Sequence, residues 1–221
     1  QAARAVAAWV APRRDPRSLQ LSLAKGYELG SLERPSEVIR EVTGAPAAVL
    51  SGPNHAEEIG CDMPSATVIA SRDMGVAERL QQAVAGDTLR VYTNDDVLGV
   101  ESCGAMKNPI AVAVGMSDGL GFGDNSRAAL MTRGLAEIAR LGLAQGARFE
   151  TFSGLAGIGD VIATCTSRHS RNRRAGELLA GGATPDEAAA QVGQVVEGFP
   201  TAYALRDLAA RYAVEIPVTE N

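Results

Sequence analysis

The sequence predicts an α/β protein in two parts, a layered sheet over residues 1–97 followed by an all-α unit over 98–221. Two observations carry this. Four short apolar runs, LQLSLAK (19–25), AAVLSG (47–52), ATVIAS (66–71) and LRVYT (89–93), alternate with helical stretches, the order expected of layered α/β folds. After Asp95 the strand signal stops and helix follows helix. The chain has 221 residues, 46% of them hydrophobic, enough for one large or two modest domains with a real core. Its net charge of −5 gives no overall basic field for nucleic acid. No run of eighteen apolar residues is present, so no membrane span is expected.

Each element has a local reason. The opening QAARAVAAWVAPRRD lacks the basic start and cleavage site of a signal peptide. It reads as the middle of a helix, ended by Pro12, so the chain is expected to be a fragment. SEVIREV (36–42) is helical, with Pro35 near its start and Gly44 behind it. A short helix is expected from Asn54 to Ile59 and another from about Gly75 to Ala85. Residues 99–142 read as two helices joined by a glycine-rich turn, the first from about Glu101 to Met116. Helices are also expected from Val161, from near Arg171 and from about Thr201 to Tyr212.

Several residues are candidates for chemistry. Gly104, Ala111 and Gly115 share a stripe of the first long helix, with Lys107 and Asn108 on or beside it. A lysine on a tightly packed face is a reactive group in waiting, because burial moves its pKa readily; the plain alternative is a stem that snorkels to solvent. Lys25 and Gly26 close one strand, and Gly52, Pro53 and Asn54 close the next, the end of an α/β sheet where ligands bind. GLAGIGD (154–160) resembles a dinucleotide loop in composition, but its glycine order is wrong and no strand runs into it. Asp160 is expected to N-cap the helix from Val161. Ser170, Arg171 and Asn172 at a helix start combine hydroxyl, guanidinium, carboxamide and free N–H groups, a set that suits a phosphate or simply caps the helix. Glu197 lies in GQVVEG (193–198) and is a candidate for a ribose or amide contact. Cys61, Cys103 and Cys165 show neither metal spacing nor a disulfide framework and read as small buried hydrophobes of a reducing compartment. His55 follows a turn where it could touch a ligand, and His169 reads as a surface-loop residue.

Long ordered stretches bear a resemblance: KGYE (25–28), VLSGPNHAEEI (49–59), residues 99–142, TFSGLAGIGDVIATCTSRHSRNRRAG (151–176) and VVEG (195–198). With them the chain resembles the bacterial NAD(P)-dependent glycerol-3-phosphate dehydrogenases. The resemblance implies a partial Rossmann-type sheet and a helical substrate domain. It implies a cytoplasmic oxidoreductase of phospholipid supply, a possible homodimer that takes NAD or NADP and interconverts dihydroxyacetone phosphate and sn-glycerol 3-phosphate. It implies Lys107 as acid/base with Asp160 supporting it. It assigns the substrate, a small phosphorylated three-carbon molecule, to Lys25, Gly52, Asn54, Lys107, Asn108, Asp160, Ser170, Arg171 and Asn172. It assigns the cofactor to Lys25, Ala56, Arg171, Val195 and Glu197, and no metal. Asn54–His55 stands where Ser or Thr followed by Phe is usual in the family. The family's glycine-rich first strand–turn–helix is not in the sequence, and by that analogy about 80 residues are expected ahead of Gln1. Two further readings stand beside this one, a non-catalytic phosphate-binding module and a related hydroxy-acid dehydrogenase.

Overall fold

The computed structural model describes residues 2–220. Helix α1 (Ala2–Val10) leads through a 3-10 turn to β1 (Gln20–Ser22), then α2 (Pro35–Thr43), β2 (Ala47–Ser51), the single turn α3 (Ala56–Ile59), β3 (Ser65–Ala70), α4 (Met74–Val84) and β4 (Leu89–Asn94). The strands lie in the order β1-β2-β3-β4. β1 runs parallel to β2 with Gln20 opposite Ala47, and β3 parallel to β4 with Ser65 opposite Leu89. Between them β2 and β3 are antiparallel, with Val49 opposite Ala70. The first strand is shorter than its apolar run: ladder pairing stops at Ser22, and the chain turns away with Leu23 exposed, so Lys25 leaves the sheet.

Alternation assigns the two faces of the sheet. Ala48, Leu50, Ile69 and Val91 face Ala77 and Leu80 of α4. Val49, Val68 and Ala70 face Val97, Val100 and Ala156. Val97 and Val100 belong to α5 (Val97–Gly119), which starts four residues earlier than the expected Glu101 because Asp96 caps it. The Asp96 carboxylate accepts from Gly99 N at 2.9 Å, Arg148 N at 3.0 Å and Thr151 Oγ1 at 2.7 Å. α5 is buried along nearly its whole length, including Glu101, which accepts from Arg34 Nη1, Ser36 N and Ser36 Oγ.

Around α5 pack α6 (Asp124–Ala144), the single turn α7 (Phe149–Phe152), a π-helical turn (Leu155–Gly159), α8 (Asp160–Thr166), α9 (Arg171–Ala180), α10 (Pro185–Val192), α11 (Gly198–Tyr212) and the single turn α12 (Pro217–Glu220). Met106, Ile110 and Val114 of α5 join Ile138, Leu141, Phe152, Leu205 and Leu208 in one core. Two of the cysteines are buried as expected, but Cys61 is exposed, because it follows the short turn α3 at the molecular rim rather than a packed element. No described helix is long and apolar enough to cross a membrane.

The closest backbone approach fixes α9 on α5. A Cβ at Gly115 would lie 1.9 Å from the Arg173 carbonyl oxygen, and one at Gly176 would lie 2.0 Å from that of Val112. Neither backbone can yield without separating the helices. Over-packing typically costs ~1–3 kcal/mol where side chains can shift. Gly176→Ala has only backbone to push, so it should cost about 3 kcal/mol or more. A urea midpoint equal to that of the parent chain would refute this.

Candidate active site

Four segments meet at the carboxyl end of β2. The chain after β1 brings Lys25, α5 brings Lys107, α8 brings Asp160 and Thr164, and the start of α9 brings Ser170 and Arg171. They line a cavity of about 350 Å³ together with Asn54, His55, Ala56, Asn108, His169, Asn172 and Glu197.

Its floor is a buried charge cluster. Asp160 is 1% exposed and accepts from two lysines that are distant in sequence. Lys25 Nζ donates to Oδ2 at 2.9 Å and Lys107 Nζ donates to Oδ1. Lys107 is itself 7% exposed and also donates to Thr164 Oγ1 at 2.7 Å. Burial, then the Lys25 ammonium, pull the Lys107 pKa below the ordinary lysine value, against the attraction of Asp160. Asp160 is therefore no plain helix cap: it is the first residue of α8, and no side chain caps that helix. The π-helical turn before it supplies the preceding backbone turn, which releases the carboxylate for the lysines. Thr164, which sequence reasoning missed, sits four residues after Asp160 on the same helical face, and that spacing is the signal that could have found it.

Gly104 has a definite use here. A Cβ on it would lie 2.6 Å from Ser51 Oγ and 3.6 Å from Cγ and Cδ of Lys25. The Lys25 stem thus crosses α5 over a missing side chain and reaches Asp160.

The rim is organised by carboxamides and guanidinium groups. Ser170 Oγ caps α9 by accepting from Arg173 N at 3.2 Å, and Arg173 Nε donates to Asp118 at the end of α5 at 2.8 Å. Asn172 is turned inward. Its Oδ1 accepts from Gly198 N at 2.9 Å, and its Nδ2 donates to Asn108 Oδ1 at 3.0 Å. Asn108 Nδ2 donates in turn to Glu197 Oε2 at 3.1 Å. Arg171 is exposed and donates to the Val195 carbonyl at 3.2 Å. Val195 itself points to solvent, 69% exposed, and lies outside the cavity lining. Gly52 is buried behind the site with φ +149° and does not line the cavity; a Cβ there would press on Thr67. Asn54 Nδ2 donates to Thr67 Oγ1 at 3.3 Å. His169, expected on a surface loop, is half-buried and lines the cavity, because Ser167 and Ser170 fold its backbone back against α8.

Two family models cover nearly all of this. The N-terminal part of NAD-dependent glycerol-3-phosphate dehydrogenase matches residues 1–77, and the C-terminal part matches residues 96–221. The chain belongs to the NAD-dependent glycerol-3-phosphate dehydrogenase family. Among curated glycerol-3-phosphate dehydrogenases (NAD(P)+), that of Moorella thermoacetica is 54% identical over 201 residues, covering 91% of this chain and 60% of the relative. That of Pelotomaculum thermopropionicum is 53% identical over 205 residues, covering 91% and 59%. The chain thus spans about 60% of the length of these relatives. The crystal structure of glycerol-3-phosphate dehydrogenase from Coxiella burnetii superposes with a TM-score of 0.94 at 41% identity, over 99% of this chain and 67% of that one. The yeast glycerol-3-phosphate dehydrogenase structure superposes with a TM-score of 0.86 at 28% identity. The mixed sheet followed by a helical unit is therefore the dehydrogenase fold of this family.

Proposed function

We propose that the cavity is the substrate site of an NAD(P)-dependent glycerol-3-phosphate dehydrogenase, residues 1–97 being the remainder of the dinucleotide domain and 98–221 the substrate domain. The observation that carries the reading is a buried lysine, Lys107, anchored at the floor of a cavity whose rim holds Ser170 and Arg171. An ammonium has three N–H donors. Two of those on Lys107 are spent on Asp160 and Thr164, leaving one to aim at a substrate oxygen. In reduction of dihydroxyacetone phosphate, Lys107 hands its proton to the oxygen that becomes the alcohol, and positioned transfer of this kind contributes typically ~10²–10⁴-fold. Asp160 holds both ammonium groups in place, and Lys25 keeps the site positive beside the developing alkoxide. Arg171 and Ser170 take the phosphate, whose remote binding energy positions the reacting carbon.

The residues present fit the nicotinamide end of the cofactor. Arg171 and the Val195 carbonyl are joined, and among the described residues Glu197 keeps one carboxylate oxygen without a hydrogen bond and the buried Ser51 hydroxyl at the end of β2 has no partner. They do not fit the pyrophosphate: the glycine pattern at 154–160 follows helix α7, not a strand. When bound, the nicotinamide supplies or accepts the hydride. A homodimer would cover exposed apolar side chains such as Phe122 and Phe149. A cytoplasmic location accords with three free cysteines.

The test uses an enzyme of the relatives' full length. Arg171→Ala should lower kcat/KM for dihydroxyacetone phosphate by about 10- to 100-fold, the worth of hydrogen bonds to a charged group. Unphosphorylated dihydroxyacetone should change little, with NADH consumption as the readout. Equal losses on both substrates would remove the phosphate from Arg171. A preference for 2-oxo acids over dihydroxyacetone phosphate would favour the hydroxy-acid dehydrogenase instead.

A further inference from the structure

The phosphate end of the cavity has fewer free donors than its sequence promises. A phosphate offers three terminal oxygens, each able to accept more than one hydrogen bond. Asn172 lines the cavity, but its oxygen is on Gly198 N and one N–H is on Asn108. Two imidazoles stand where donors are needed. His55, just before α3, and His169, just before the Ser170 cap of α9, both line the cavity beside Ser170 and Arg171. Both are half-buried. Their ring centroids are 6.3 Å apart and the planes are inclined at 50°, so the rings do not stack. Their polar capacity is almost unspent. His55 Nε2 has only a long 3.5 Å approach to the Ala163 carbonyl. No side-chain hydrogen bond of His169 occurs among the described residues, since only its backbone N–H is engaged, with Ser167 Oγ. An oxygen accepting from both rings sits about 2.9 Å from each nitrogen, which this ring separation accommodates.

We propose that His55 and His169 are specificity-determining residues that close the phosphate end of the site, each donating a ring N–H to a phosphate oxygen of the substrate. This rests on the reading of the cavity as a site for a phosphorylated three-carbon substrate and adds two residues to it. The pair comes from distant parts of the chain, one after the strand β2 and one from the helical unit, so a bound phosphate ties the two together.

The experiment titrates an enzyme of the relatives' full length with sn-glycerol 3-phosphate and with inorganic phosphate by calorimetry. His55→Phe and His169→Phe should each raise the Kd for both probes by about tenfold, the loss of one hydrogen bond to a charged acceptor. His55→Gln and His169→Gln retain an N–H donor and should stay within about threefold of the parent chain. Melting temperatures identify variants that have lost the fold, and for those the Gln forms decide. Folded Phe variants that keep the parent Kd overturn the inference, as does a parent chain that binds neither probe. If those variants bind normally while Arg171→Ala weakens both probes, the reading of the cavity survives and only the histidine pair falls. If Arg171→Ala binds normally and the Phe variants do not, the pair stands and the role of Arg171 falls.

Discussion

In an enzyme of the relatives' full length, Lys107→Met lowers kcat by about 10²-fold or more while the protein still folds, since a positioned proton donor acts mainly in the transition state. The folding half of this expectation follows from counting charges. Lys25, Lys107 and Asp160 together bring two ammonium groups and one carboxylate into a buried cluster. Methionine in place of Lys107 leaves a paired Lys25–Asp160 with no charge in excess, and its unbranched stem suits the space. The pH dependence has a definite sign. Burial and Lys25 lower the folded-state pKa of Lys107 below its ordinary 10.5. Between the folded and unfolded values the unfolded chain binds the extra proton, so stability rises with pH in that window. Below the folded value the penalty is present in full. The Met variant should lose this alkaline gain while keeping a melting temperature near that of the parent at neutral pH. Retention of more than about half the rate by a folded Lys107→Met protein would return Lys107 to the class of snorkelling lysines.

Much of this architecture was legible because it is local. The runs AAVLSG (47–52) and ATVIAS (66–71) become β2 (Ala47–Ser51) and β3 (Ser65–Ala70), within a residue at each end of where their hydrophobicity places them. Ser170 caps α9 as its residue type and position predict. The small-residue stripe of α5 also has the close approaches it implied, Gly104 to Lys25 and Gly115 to α9. What the sequence concealed is mostly non-local. The antiparallel β2–β3 pair leaves the same apolar pattern as a parallel one, because both faces of this sheet are covered. Asp160 looked like a cap because caps are common, whereas its partners lie 53 and 135 residues away. Asn172 lines the cavity with Ser170 and Arg171, but one helical residue rotates the side chain by roughly 100°, and adjacency gave no sign of its bonds to Asn108 and Gly198. The helix α10 is a local signal that went unread: Thr184 and Glu187 form a reciprocal capping box around Pro185.

The sharpest consequence of the cluster concerns the carboxylate. Asp160→Asn keeps the shape of the side chain and removes the only negative charge that either lysine reaches among the described residues. Two ammonium groups then share a buried site, with an amide that can offer one of them an oxygen but no charge. Breaking a buried ion pair from one side costs about 3–5 kcal/mol, because the remaining charge is left uncompensated. Here two charges are left, so the loss should reach that range, and kcat should fall with it. The penalty has its own pH signature. Without Asp160 the protonated form of Lys107 is less favoured still, its folded-state pKa drops further below the unfolded value, and the variant should recover stability as pH rises toward 10.5. A second substitution separates this account from simple packing damage. Adding Lys107→Met to Asp160→Asn removes one of the two stranded cations, so the double variant should be more stable than Asp160→Asn alone, by about 1 kcal/mol or more for residues in direct contact. Urea unfolding of the parent, the two single variants and the double variant completes the cycle. Losses that simply add, or a double variant less stable than Asp160→Asn, would show that Asp160 holds the site by shape and not by charge.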